Sequence, residues 1–335
     1  AFSVSGTALR QMEAWAPEAL ESFRRLAATG RVEFLAETSH HSLAFVGDED
    51  EFRAQVTAHA ERIERLFGQR PVTFRNTELI VDNRVARLAE EMGFQGILGE
   101  GADHLLGWRS AHRVYRPEGC ERIKLLLRSY RLSDDIAFRF SNRAWGEWPL
   151  TTDKFAAWVH DLPERDTYIG LFMDYETFGE HQWADTGIFD FMAHLPAALL
   201  AAPHVRFRTP GEALAEADPV GRLDIPYLVS WADTERDLTA WLGNAMQTAA
   251  VEALFDLGRE VKRSADAGLL EQWRRLTTSD HLYYMCTKWF ADGDVHKYFS
   301  PYDSPHDAFI AFMNVLDDVR RRATGAREPD PAEAS

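Results

Sequence analysis

Tyr168-Ile169-Gly170-Leu171-Phe172-Met173, followed at once by Asp174-Tyr175-Glu176-Thr177-Phe178-Gly179-Glu180-His181, decides how this chain is read. The first six residues are apolar without helical periodicity, the pattern of a buried strand. Three carboxylates and a histidine then crowd its C-terminal end. In parallel α/β folds catalytic groups collect at that end, because its loops vary while the strands stay fixed. Val72-Thr73-Phe74-Arg75-Asn76-Thr77-Glu78 repeats the arrangement and also finishes on a carboxylate. Two acids at two strand ends suggest a paired-carboxylate enzyme.

Working outward, four more segments read as strands: Val32 to Leu35, Gln95 to Leu98, Arg122 to Leu127 and Val205 to Phe207. Helical patterns separate them. Glu49 to Phe67 is closed by Gly68, Asn83 to Met92 stops at Gly93, and a helix follows Pro210-Gly211 through Leu214. This β-then-α alternation implies a mostly parallel sheet or barrel. From Trp231 the pattern turns helical, over Asp237–Leu254, Ala253–Ala267, Leu269–Leu276 and Ser304–Arg322. The expected organisation is a barrel domain over 1–225, a helical bundle over 226–323 and a tail of disorder-prone composition over 324–335.

With 335 residues, 45% hydrophobic and 12% aromatic, the chain can bury a substantial core. The net charge of −16 disfavours a nucleic-acid partner, since phosphate binding needs concentrated Lys and Arg. No apolar run approaches the roughly 20 residues that span a bilayer, so no membrane partner is expected. Cys120 and Cys286 form no metal-type pair, and a reducing, cytoplasmic setting is the simplest expectation. The chain opens Ala1-Phe2-Ser3-Val4-Ser5, without an initiator Met or a signal segment, so its natural start is expected to lie upstream. Ten tryptophans favour a carbohydrate ligand, because indoles stack on the apolar faces of sugar rings.

Glu78 and Asp174 form the leading constellation. Glycoside cleavage with retention needs a nucleophilic carboxylate and a proton donor about 5–5.5 Å apart. The bland alternatives are that Glu78 caps the following helix and that Asp174 pairs with an arginine. His41, His181, Asp280 and His281 can exchange hydrogen bonds with sugar hydroxyls. Metal binding is the competing reading, with Glu37 and His41 four apart, but no His-Glu-x-x-His is present and no metal is expected. Trp231, Trp241, Trp289 and Tyr302 are candidate stacking platforms, with core packing as the alternative. Gly-x-Gly-x-x-Gly and Gly-x-Ser-x-Gly motifs are absent, which argues against a dinucleotide cofactor and a serine hydrolase.

Three motifs together resemble glycoside hydrolase family 57, most closely its α-amylase-like branch. They are Phe74-Arg75-Asn76-Thr77-Glu78-Leu79-Ile80, Met173-Asp174-Tyr175-Glu176-Thr177-Phe178-Gly179-Glu180-His181 and Ser300-Pro301-Tyr302-Asp303-Ser304-Pro305. Val32 to Leu43, which contains Glu37 and His41, and Thr278-Ser279-Asp280-His281 are similar to the same branch. The resemblance implies an incomplete (β/α)7 barrel followed by a helical domain, and retaining chemistry on α-1,4- or α-1,6-linked glucans without cofactors. Glu78 would be the nucleophile and Asp174 the acid/base, with a carboxyl raised by burial and by the Glu78 charge. His41, Arg75, His181, Trp231, Asp280, His281 and Trp289 would contact substrate. The family's His-Gln-Pro strand is missing, which fits six strands here plus one upstream. Ser39 and His40 stand where aromatic residues are expected. The alternatives are a 4-α-glucanotransferase or branching enzyme, a non-catalytic glucan-binding protein and a metal-dependent polysaccharide deacetylase.

Overall fold

The computed structural model describes residues 1–288 and 300–325. Trp289 and the 326–335 stretch of the expected tail lie outside the described residues. The chain forms two compact units that interleave in sequence. One comprises Val72–Phe74 and Val81–Tyr227 with Ala1; the other comprises Phe2–Pro71, Arg75–Ile80 and the chain from Leu228 onward.

The first unit holds strands β1 (Thr73–Phe74), β2 (Gly96–Glu100), β3 (Arg116–Pro117), β4 (Lys124–Arg128) and β5 (Arg222–Leu223). β1, β2 and β4 make a parallel sheet in that order, with Phe74 beside Ile97 and Ile97 beside Leu125. β3 and β5 pair in parallel separately. Every residue of β2 is buried, as both faces of a parallel strand require. Gly96 starts β2 because a Cβ there would lie 2.3 Å from Leu214 of the Pro210–Glu216 helix. The Asn83–Glu91 helix that joins β1 to β2 begins where Asp82 accepts from Val85 N–H at 2.7 Å. The Thr152–His160 and Ile188–Leu200 helices pack through Phe155 and Phe191, edge to face at 6.0 Å.

Two strand expectations after β4 change in this unit. Tyr168–Met173 is reduced to one parallel bridge, Gly170 beside Arg128, with Ser129 N–H donating to Gly170 O at 2.8 Å. Side chains fix the rest of the segment: Arg128 Nε donates to Phe172 O at 2.7 Å, and Phe172 N–H donates to Ser133 Oγ at 3.1 Å. The Arg128 guanidinium is buried, so it needs the partners it has in Glu100, at 3.1 Å, and Asp134. Val205–Phe207 forms no strand, and the next strand in the chain is β5. The fold is α/β, with few parallel strands and many helices.

In the second unit the Val32–Leu35 strand is likewise a single bridge, Phe34 beside Phe2. Two helices absent from the sequence reading, Gly6–Trp15 and Pro17–Ala28, cover it with Leu9, Leu20 and Phe23. Phe34 stacks on Phe67 at 4.0 Å. Glu49–Phe67 is helical as expected, capped by Asp48 and ended by Gly68 at φ 68°. The expected Asp237–Leu254 helix is interrupted instead. Thr239–Leu242 forms one turn, and Ala245–Ser264 starts afresh behind an Asn244–Gln247 capping box. Ala44–Gly47, Ala267–Leu276, Ser279–Tyr283 and Pro305–Thr324 complete this unit's α-helices among the described residues. Trp273 is fully buried, donates Nε1–H to Leu254 O at 2.8 Å, and occupies the space above Gly258. Trp241 is 2% exposed, so it packs the core and is not a stacking platform. No helix among the described residues is long and apolar enough to cross a membrane.

Candidate active site

Glu78 stands in a tight turn, not at the end of a strand. Extended pairing stops at Phe74, and Asn76 Nδ2 donates to Ile80 O at 2.9 Å, closing a 3-10 turn over Thr77–Leu79. Thr77 is tied to Thr38 by a 2.9 Å hydroxyl pair. Within this turn Glu78 has φ 54° and ψ 27°, the left-handed region that costs a side-chain-bearing residue about 1–2 kcal/mol. The extended run expected from Val72 to Glu78 therefore breaks before Glu78. The bland alternative also falls, because Asp82 caps the next helix.

Both carboxylate oxygens of Glu78 are held. His41 Nε2–H donates to Oε1 at 2.9 Å, and Trp231 Nε1–H donates to Oε2 at 3.0 Å. On its other side the His41 ring donates Nδ1–H to Glu37 Oε2 at 3.1 Å. A ring that donates from both nitrogens is an imidazolium. Burial works against that charge, but the bonds and charges of Glu37 and Glu78 overcome it and raise His41 to about 10. For Glu78, burial pulls the carboxyl up, and the bond and charge of His41, with Arg75 and Trp231, bring it down to about 2. About a fifth of the Glu78 side chain is exposed, although protein surrounds it deeply. The result is an anionic carboxylate fixed in plane and reachable from outside.

Glu37 is far more enclosed, with 2% of its side chain exposed. Its carboxylate accepts from Ser3 Oγ at 3.1 Å, and Arg75 lies 3.8 Å away. Its backbone N–H donates to His59 Nδ1 at 3.2 Å, while His59 Nε2–H donates to Val4 O at 2.8 Å. Burial opposes ionisation of Glu37 too, yet His41, Arg75 and His59 hold it at about 2. Glu37 and His41 thus bond to each other. Among the described residues no group of three or more His, Cys, Asp or Glu forms a metal-ligand set.

The adjacent histidines behave in opposite ways. His40 accepts from Ser39 Oγ at Nδ1 and reaches Glu271 at 3.3 Å from Nε2, and burial lowers its pKa. Ser39 and His40 thus replace the expected aromatics with a polar link inside this unit. Arg75 is buried and spread between Glu37 and the Trp231 ring, 5.0 Å from the ring centroid. Asp280 is exposed at its side chain but deeply surrounded. Burial raises its carboxyl, the Glu78 charge raises it further, and His41 and His281 oppose. His281 is lowered by burial against the pull of Asp280, and its ring faces Phe312 at 5.8 Å.

His41, Arg75, Glu78, Trp231, Asp280 and His281 belong to the second unit, where they form one electrostatic cluster. Asp174 and His181 belong to the first unit. Asp174 precedes a 3-10 turn over Tyr175–Thr177, held by Thr177 N–H donating to Asp174 O at 3.1 Å. Its side chain is exposed, contrary to the burial expected of it. Phe172, held by Arg128 and Ser133, lies two residues before it. His181 N–H donates to Glu176 O at 2.9 Å, and its ring lies over Phe138 at 6.3 Å. Glu37 is the residue whose place the sequence reading missed. The signal was its four-residue spacing from His41 after an apolar run, read there as a possible metal pair.

Residues 1–226 match the model of glycosyl hydrolase family 57. A Methanocaldococcus jannaschii protein named "Putative alpha-amylase" is 41% identical over 329 residues, covering 95% of this chain and 69% of the relative. The fold is similar to a 4-alpha-glucanotransferase from Thermococcus litoralis, with TM-score 0.66 and 15% identity, over 84% of this chain and 48% of that one. It is also similar to a branching enzyme of the same family from Pyrococcus horikoshii, with TM-score 0.65 and 14% identity, over 95% and 74% of the two chains. At those identities the structural likeness speaks for the fold alone, and this chain spans about half of the glucanotransferase. From the family match and the curated relative together, the chain belongs to glycosyl hydrolase family 57.

Proposed function

We propose that this protein is a retaining glycoside hydrolase acting on α-1,4-glucan. The observation that carries the reading is the Glu78 carboxylate, ionised and anchored at both oxygens by His41 and Trp231. A nucleophile that stays anionic and keeps its plane meets the first requirement of double displacement. Glu78 attacks the anomeric carbon and forms a glycosyl ester as the bond to the leaving sugar breaks. Asp174 gives its proton to the leaving oxygen, then takes one from water as water attacks the ester. Transfer to a sugar hydroxyl uses the same intermediate and differs only in the acceptor.

His41, placed against the nucleophile, is assigned to the scissile sugar as well, with Arg75, Trp231, Asp280 and His281 from the same cluster and His181 from the segment that follows Asp174. Trp289 completes the assignment of substrate contacts. The parallel β1-β2-β4 sheet and the Gly170 bridge are assigned to an incomplete (β/α)7 barrel, in keeping with the family. The relative's name supports an amylase activity, and the length of the match supports carrying it over. Product analysis from maltooligosaccharides tests the reading, with wild type beside Glu78→Gln. Hydrolysis releasing α-anomers first, and lost in the variant, is expected. Unchanged activity in Glu78→Gln rejects the mechanism, and longer oligosaccharides in place of shorter ones assign transfer.

A further inference from the structure

Glu37 cannot touch a substrate: only 2% of its side chain is exposed, and its neighbours are protein groups. Yet it is the inner end of an unbroken chain of bonds that ends on the nucleophile. Ser3 Oγ holds Glu37 Oε1, Glu37 Oε2 holds His41 Nδ1, and His41 Nε2 holds Glu78 Oε1. The backbone at its own position is fixed by the His59–Val4 link. His41 is fixed as well, at φ 50°, with its carbonyl accepting from Ser279 N–H at 2.9 Å.

We propose that Glu37 is a positioning residue for the reaction: through the His41 ring it sets the orientation of the Glu78 carboxylate and keeps that ring a donor on both nitrogens. The proposal rests on the assignment of Glu78 as nucleophile. Without the Glu37 carboxylate the ring has no reason to present Nδ1–H inward, and a neutral ring is free to offer Glu78 a lone pair, which repels it. The charged groups around the ring are Glu37, Glu78 and Asp280, with Arg75, His59 and His281 acting on those carboxylates. Of these, Glu37 alone is both bonded to the ring and closed to solvent. An indirect role predicts a loss in kcat with KM nearly unchanged, because no substrate contact is removed. Misplacing a reacting group by a fraction of an ångström to one ångström costs up to about 10²-fold.

The test compares wild type, Glu37→Gln and Glu37→Asp with α-maltosyl fluoride, whose leaving group needs no proton donor, and follows the His41 ring by ¹⁵N NMR against pH. Glu37→Gln should lower kcat at least tenfold, leave KM within twofold and bring the His41 titration down by more than one pH unit. Glu37→Asp should recover part of the rate. His41→Gln supplies a second route: in that background Glu37→Gln should add no further loss in kcat. A Glu37→Gln enzyme within twofold of wild type, an unmoved ring titration, or losses that multiply in the double variant overturns the positioning role alone. A wild type inactive on every α-glucan, with the ring charged as described, rejects the glucosidase reading and the positioning role with it.

Discussion

Trp231 is bonded to Glu78 twice: its indole Nε1–H donates to Oε2 at 3.0 Å, and its backbone N–H donates to Glu78 O at 3.4 Å. An aromatic residue singled out as a sugar platform therefore also positions the candidate nucleophile. Trp231→Phe keeps a smaller aromatic ring beside Arg75 and removes the Nε1 donor. A hydrogen bond to a charged group is worth about 1.5–3 kcal/mol, so kcat/KM should fall roughly 10- to 100-fold. Losing a donor to the ionised form raises the Glu78 carboxyl, and the acid limb of the pH–rate profile should move to higher pH. Kinetics across pH 3–8 check both; a rate unchanged by the substitution removes Trp231 from the machinery.

Glu78→Gln replaces the attacking oxygen with an amide and leaves its neighbours in place. A loss of roughly 10⁴-fold or more in kcat is expected, by analogy with deletion of other covalent nucleophiles. Intact-mass spectrometry of the wild type with a slow fluoro-sugar should show a glycosyl adduct that the variant lacks. Adduct formation at another carboxylate would reassign the role.

The Glu37–His41–Glu78 chain makes stability depend on pH from both sides. Glu37 and Glu78 lie at about 2, below their ordinary 4.5, so their contribution is full above pH 4.5 and is lost as pH falls toward 2. His41 lies at about 10, above its ordinary 6.5, so its contribution is full below pH 6.5 and is lost as pH rises through 10. All three act together between about pH 4.5 and 6.5. Thermal unfolding across pH 3–10 should show its highest Tm in that window. His41→Gln should abolish the decline that the ring causes above pH 6.5, and an identical decline in both proteins would assign it to other groups.

How much of this was legible in the sequence depended on whether local chemistry set the outcome. The Glu49–Phe67 helix was readable because Asp48 and Gly68, its cap and its stop, sit beside it in the chain. Glu78 was readable as a residue but not as a geometry. The turn that holds it depends on Asn76 reaching Ile80 O and on Thr77 meeting Thr38, a partner 39 residues away. The Tyr168–Met173 strand has the right composition, yet its order comes mainly from the Arg128 and Ser133 side chains, which no period-2 pattern reports. Glu37 was visible only as a spacing, because whether a Glu–His pair binds metal or a carboxylate is settled by what stands opposite.

Arg128 gives a test within the other unit. Arg128→Leu leaves Glu100 buried without its guanidinium and strips the donor from Phe172 O. Breaking a buried pair from one side costs about 3–5 kcal/mol, and urea denaturation should register a loss of that order. A variant as stable as wild type would mean that Glu100 relaxes to another partner.

Gly258 faces Trp273 so closely that a Cβ would lie 2.4 Å from the indole Cζ2. Both are on buried helix faces, so Gly258→Ala should destabilise by about 1–3 kcal/mol despite the better helix propensity of alanine. A stabilised variant would show that the indole has room to retreat.

The left-handed backbone of Glu78 sets catalysis and durability against each other. A residue needed for its carboxylate occupies a conformation that glycine adopts freely, so part of the fold's stability is held back at this position. Two disabled versions of the protein should therefore differ. With the carboxylate gone from both, Glu78→Gly should be more stable than Glu78→Ala by about 1 kcal/mol, making the glycine form the sturdier scaffold for capturing an uncleaved glucan.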